Sequence, residues 1–270
     1  MVIYKPKGKA KEYCNLAVNL YSGCDHGCLY CYAPKILRTK YQEFIEPKTR
    51  KDILQKLEKE AKKFTGHEVL LCFTCDPYCH YGAKSGVTRK AIQILHNAGV
   101  NVVILTKGGR RSMTDFDLLT QNDKYGATLT FINDIDSKKW EPYAALPKDR
   151  MFALQKAHKQ GIKTWVSLEP VIDPLQTLKL IELTHEFVDI YKVGRWNYDK
   201  RANEIDYKEF VESAINLFVK YGKKYLIKKD LGFCLSEPEI VIELPFCNST
   251  NSEFCLIEKE EQIYNIYRNC

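Results

Sequence analysis

The strongest constraint on the fold is a repeated alternation of short β-forming runs with segments of helical period. Residues 15–22 read as a strand ending at Gly23, and residues 50–64 as a charged amphipathic helix. The apolar run EVLLCF at 68–73 is the next strand. A helix at 85–98 follows, with Val87, Ile92, Ile94 and Leu95 on its buried side. NVVILT at 101–106 is a third strand, and residues 114–121 form a short helix with Thr114 as its N-cap. GATLTFI at 126–132 and KTWVSL at 163–168 are further strands, separated by a helix near 150–160. A helix at 174–187, a sixth strand VDIYKV at 188–193, an amphipathic helix at 209–221 and a β-like run at 224–228 complete the pattern. Strand followed by helix about six times argues for a parallel sheet with crossover helices. No GxGxxG follows any strand, which disfavours a dinucleotide fold. The expected architecture is α/β: a partial (β/α)6 TIM-type barrel over residues 1–233. A small acidic, cysteine-containing C-terminal extension is expected over 234–270.

The cysteine count then narrows the chemistry. The 270 residues include 11 cysteines, an odd number, and the N-terminus has no apolar run of a signal peptide. A disulfide framework is therefore disfavoured and a reducing, cytoplasmic setting is expected. No stretch approaches 18 apolar residues, so no membrane span is expected. Cys24, Cys28 and Cys31 form one tight group, and Cys72, Cys75 and Cys79 a second. Cys14, Cys234, Cys247, Cys255 and Cys270 are scattered.

The first group lies in the loop GCDHGCLYCYA directly after the first strand. Thiolates spaced C-x3-C-x2-C can wrap one face of an iron–sulfur cube, leaving one iron open to a small molecule. Zinc competes, but a structural site wants a fourth Cys or His, and His26 inside the loop reaches poorly. Plain structural thiols are the third possibility.

The motif C-x3-C-x2-C with Tyr30 before the last cysteine resembles the signature of the radical S-adenosylmethionine (SAM) enzymes. The longer phrase NLYSGCDHGCLYCYAP, followed by CDPY, ILTKGG and SLEPV, resembles the DNA-repair-photolyase-like proteins related to the spore photoproduct lyase group. The resemblance runs through about residues 14–200. It implies a 4Fe–4S cluster on Cys24, Cys28 and Cys31, with SAM on the open iron. One electron would cleave SAM to methionine and a 5′-deoxyadenosyl radical, which takes a hydrogen atom from a substrate. The protein's share is to bind, orient and exclude water. The resemblance also implies a reducing partner of flavodoxin or ferredoxin type.

Strand ends should supply the remaining SAM contacts. Tyr30 and Tyr32 would place backbone against the adenine. Lys107, closing the third strand, suits the SAM carboxylate. Thr130, two positions after Thr128, is expected on the lumen face of the fourth strand. Ser167 and Glu169 close the fifth and could bind SAM hydroxyls or substrate. Thr74 or Cys75 should face SAM, and Cys72 or Cys75 could return a hydrogen atom to a substrate radical. A second cluster involving His80, or simple burial, are the other readings of that cysteine group. Period-two alternation puts Cys72 and Thr74 opposite Phe73 and Cys75, so all four reach the lumen only if the strand ends early.

Charge bears on the substrate. The total is +7, but residues from 234 onward carry seven Glu against Lys259 and Arg268, leaving a basic body. Lys107, Arg110 and Arg111 cluster after one strand, and Tyr191, Trp196 and Tyr198 lie near Arg195 after another. A basic mouth with aromatics suits a nucleic-acid lesion or nucleotide. A peptide or small metabolite is the alternative substrate, and a non-catalytic metal-binding module the alternative class.

Overall fold

The structure is a computed structural model and describes residues 1–234. Its main sheet has eight strands: β1 (Ile3–Tyr4), β2 (Ala17–Val18), β5 (Glu68–Leu71), β6 (Asn101–Thr106), β7 (Lys124–Thr128), β8 (Lys163–Val171), β9 (Ile190–Arg195) and β10 (Lys224–Ile227). That sequence is also their spatial order. β1 runs antiparallel to β2, and every later pairing is parallel. Helices Ile53–Ala61, Val87–Asn97, Pro147–Lys159, Pro174–Thr184 and Tyr207–Lys220 connect successive parallel strands. Among the described residues no pairing joins β10 back to β1, so the barrel is partial and open. The run at 224–228 supplies a seventh parallel strand.

Alternation along the strands builds two cores. Val18, Val69, Leu71, Val102, Ile104, Val166 and Leu168 face the helices. Ala17, Leu70, Val103 and Trp165 face the concave side, where Tyr13 and Phe73 join them. Gly126 is required beneath Trp165, because a Cβ there would lie 2.3 Å from the indole ring. The 3-10 turn Gly8–Glu12 and Tyr13 close this concave side from the N-terminal end. Tyr13 packs against Phe73 and Trp165 at ring distances of 5.7 and 6.0 Å.

Several elements depart from the sequence expectations. The run 15–22 is not one strand: β2 ends at Val18, and β3 (Tyr21–Ser22) pairs with β4 (Lys48–Thr49) in a separate sheet. Asn19 marks the break, its amide accepting from the Thr74 N–H and donating to the Tyr4 hydroxyl. The helix expected at 85–98 is present as Val87–Asn97, and a separate short helix, His80–Ser85, precedes it across Gly86, whose φ is +68°. Residues 114–121 hold no α-helix, and Thr114 is not an N-cap; a 3-10 turn covers Gly109–Asp115 instead. Helix Asp134–Trp140, capped by Asn133, fills an interval that periodicity missed. The extension beyond Cys234, with Cys247, Cys255 and Cys270, lies outside the described residues.

Candidate active site

The cysteine loop is shaped by its backbone. Gly23 has φ +88°, and a Cβ on it would lie 2.4 Å from the Phe44 carbonyl, the same oxygen that accepts from Cys24 N at 2.8 Å. Gly27 (φ +66°) lies under the Tyr143 ring. Tyr41 donates to the Gly27 carbonyl, Leu29 N to Trp140 O and Tyr143 N to His26 O. This geometry brings Cys24, Cys28 and Cys31 into the wall of one cavity of about 440 Å³. Burial pushes the Cys28 thiol up to about 12 and raises Cys31. Cys24 is raised by the neighbouring Cys79 thiol and by burial. Such thiols stay protonated until a metal's positive charge displaces the protons.

Two buried networks that sequence reasoning missed hold the loop. In the first, Asp76 accepts from Tyr78 N, Thr106 Oγ1 and Lys107 N at 2.6–2.8 Å. Its Oδ2 also lies 3.4 Å from His26 Nδ1, and Arg111 donates to His26 Nε2. Burial lowers the His26 pKa to about 4, which matches a neutral ring that gives one hydrogen and accepts another. In the second, the buried Arg150–Glu141 pair takes the Tyr30 hydroxyl on Glu141, while Arg150 also donates to the Thr128 and Ala145 carbonyls. The DPY triplet hinted at the first network. The second joins residues 111 positions apart and had no local signal.

The strand ends form the other cavity walls. β5 stops at Leu71 and Cys72 takes a left-handed φ of +65°, so Cys72, Phe73, Thr74 and Cys75 all line the cavity. The early strand end needed for that is present. Thr74 Oγ1 is buried without a hydrogen-bond partner. Lys107, Thr128, Ser167, Glu169, Tyr30 and Tyr32 also line the cavity. Burial opposes the Lys107 charge, but Cys28 and Glu141 outweigh it and raise its pKa, so it stays a cation. Glu169 is already engaged, accepting from Tyr13 and, at 2.6 Å, from Lys228. Ser167 shares a 2.9 Å bond with the Tyr13 hydroxyl.

Thr130 lies two residues past β7 and is absent from the cavity walls; it meets the Tyr30 hydroxyl at 3.2 Å instead. Its neighbour Thr128 takes the lumen position. Arg110 pairs with Asp149 and covers Phe152, and Arg111 is committed to His26, so neither adds to an open basic mouth. Tyr191 is a core residue bonded to Thr184, not a mouth aromatic. Trp196 is nearly buried against Trp140, whereas Tyr198 is 65% exposed at the cavity rim.

The sequence model of the Radical SAM superfamily matches residues 18–188, spanning the cysteine loop and β2 through the helix before β9. The chain belongs to the radical SAM superfamily. Its cofactors are accordingly a 4Fe–4S cluster and SAM, and the family is one of enzymes. The chain is 27% identical to an uncharacterized protein of Acidianus two-tailed virus, over 82% of this chain and 78% of that one. It is 24% identical to an uncharacterized protein of Methanocaldococcus jannaschii, over 81% and 89%. Among solved structures it resembles spore photoproduct lyase with AdoMet and a dinucleoside spore photoproduct bound, at TM-score 0.63 and 13% identity, over 83% of this chain and 77% of that one. It also resembles Streptococcus suis SuiB bound to S-adenosylmethionine, at TM-score 0.59 and 11% identity, over 83% and 52%. These likenesses show the partial-barrel fold.

The donor set of this radical SAM chain suits both cofactors. Three thiols share one cavity with the half-buried Lys107 cation and an unpartnered hydroxyl. Among the described residues no three His, Cys, Asp or Glu side chains converge on a single ion.

Proposed function

We propose that the chain reductively cleaves SAM and directs the resulting radical at a nucleic-acid lesion or nucleotide, in a lyase-like reaction related to that of spore photoproduct lyase. The observation that carries this reading is the single cavity in which Cys24, Cys28, Cys31, Lys107 and the orphaned Thr74 hydroxyl meet. The cluster, once bound, supplies the electron that breaks the SAM carbon–sulfur bond. Cys24, Cys28 and Cys31 hold it in a loop whose backbone is fixed by Phe44, Trp140 and Tyr41. Lys107 pairs with the SAM carboxylate. The backbone at Tyr30 and Tyr32 lies against the adenine, and Thr74 Oγ1 donates to a SAM oxygen. Glu169, held between Tyr13 and Lys228, and Ser167 face the ribose or the substrate. Thr130 serves by holding Tyr30 rather than by touching SAM.

Cys75 lines the cavity with the Cys72 thiol as its neighbour, and is the hydrogen donor that quenches a substrate radical. The residues Tyr198 and Arg195 in the cavity wall offer an aromatic face and a cation to a base and its phosphate. A reducing cytoplasm and a one-electron donor protein complete the setting.

The test is anaerobic incubation with dithionite, SAM and deuterated ultraviolet-damaged oligonucleotides, followed by mass spectrometry of 5′-deoxyadenosine. Deuterium in 5′-deoxyadenosine supports the reading. Label transfer from peptides or small metabolites but never from nucleic acid refutes the substrate class. So does an oligonucleotide affinity lacking the steep salt dependence of phosphate contacts.

A further inference from the structure

We infer that the surface formed by helices Ala33–Leu37 and Tyr41–Phe44 is the docking face for a one-electron carrier protein with acidic surface charge. The inference rests on the radical SAM reading and extends it to the partner that feeds the site.

Position is the first argument. A second, small cavity of about 20 Å³ is lined by Cys24, Cys28 and Cys31 together with Tyr41, Phe44 and Ile45. Tyr41 is at the same time 37% exposed. Tyr41 therefore reaches both solvent and the cavity that the three cysteines line. The larger cavity, where SAM and substrate would sit, includes neither Tyr41 nor Ile45 in its walls.

Surface chemistry is the second. Leu29, at 60% exposure, stands between Cys28 and Tyr30, and Ile36, Leu37 and Tyr41 are exposed nearby. Among the described residues, this 13-residue span carries four of the twelve large exposed apolar side chains. Clustered exposed apolar groups mark interaction surfaces, and transient redox encounters need only small ones.

Charge is the third. Lys35, Arg38 and Lys40 are exposed within the same span, and no acidic residue lies between Leu29 and Gln42. Among the described residues Arg38 and Lys40 make no ion pair, so their charge is not neutralised by the protein. Lys35 lies 5.4 Å from the Tyr198 ring. Glu43 and Glu46 follow on the far side of the span. An apolar patch edged by unpaired cations selects a partner with an acidic rim and speeds its encounter. The transfer moves one electron: the carrier is oxidised by one unit and the cluster reduced by one, with no atom exchanged.

The test compares the holoenzyme with a Lys35→Glu/Arg38→Glu/Lys40→Glu variant, all at exposed positions. Reduction of the cluster by reduced flavodoxin and by reduced ferredoxin is followed in stopped flow, and binding of the oxidised carriers by calorimetry. Iron content and dithionite-driven SAM cleavage are measured in parallel. The expected result is carrier-driven reduction slowed about tenfold or more at low ionic strength. The gap should close as salt rises, carrier binding should weaken, and iron content and the dithionite-driven rate should be unchanged. The inference is overturned if the variant is reduced as fast as the parent, or if the dithionite-driven rate falls in proportion. It is also overturned if neither carrier reduces the parent, or if the variant loses affinity only for single-stranded DNA. A parent that forms no 5′-deoxyadenosine with dithionite would instead refute the radical SAM cleavage reading, and the calorimetry would still score the surface.

Discussion

Replacing Arg150 with methionine strips a fully buried carboxylate of its counter-charge. Arg150 and Glu141 are each 1% exposed and ion-paired. Arg150 also donates to Thr128 O at 3.0 Å and to Ala145 O at 2.7 Å. Glu141 would keep only the Tyr30 and Ser137 hydroxyls as donors. Removing one partner of a buried pair costs about 3–5 kcal/mol. That is a large part of a typical folding stability of about 5–15 kcal/mol. With a guanidinium slope of about 4 kcal/mol/M, the unfolding midpoint of the apoprotein should drop by about 1 M. Arg150→Met combined with Glu141→Gln removes the stranded charge, so it should recover about 1–2 kcal/mol over the sum of the single effects. The same single variant should bind less iron on reconstitution, because Tyr30 loses the anchor that holds the cysteine loop. A cost under about 1 kcal/mol, or strict additivity in the cycle, would refute the claim that this pair braces the loop.

Other outcomes follow from the same geometry. Lys107→Met should weaken SAM binding by about 10–100-fold in equilibrium dialysis, the worth of a charge-assisted bond, while Lys107→Arg keeps part of it. Gly194→Ala would place a Cβ 2.6 Å from the Glu169 carboxyl carbon; a loss of about 1–3 kcal/mol in denaturant titration is expected, with a matching fall in SAM affinity. Asp123 is buried, and hydrogen bonds from His96, Val102 N and Thr120 N outweigh its burial and hold its pKa below the usual carboxylate value. The unfolded chain therefore takes up this proton first as pH falls. The Asp123 contribution is fully present above about pH 4 and is lost as pH drops through the lowered pKa. Asp123→Asn should flatten that part of the stability–pH curve; an unchanged curve would show that the network does not hold the charge.

The βα rhythm was readable because strands β5 to β10 are short apolar runs and their helices have one buried stripe each. The cysteine spacing was readable because its ligands are local. What escaped was nonlocal. Asn19 breaks the first strand by reaching Thr74, and Glu141 with Arg150 braces Tyr30 across more than a hundred residues. Thr130 was misplaced because a period-two extrapolation ran past Thr128, where the strand stops. Tyr13 closes the lumen and touches Ser167 and Glu169 from a segment with no motif at all. Arg111 reads in the sequence as part of a basic cluster for a polyanion, yet its guanidinium is spent on His26 inside the loop.

The central claim is that the three-cysteine loop carries the cluster that cleaves SAM. Anaerobically reconstituted protein should hold about four irons and four sulfides per chain and release 5′-deoxyadenosine when dithionite and SAM are added. A Cys24→Ala/Cys28→Ala/Cys31→Ala chain should hold little iron and release none. If that chain still formed 5′-deoxyadenosine, the account would be contradicted at its foundation.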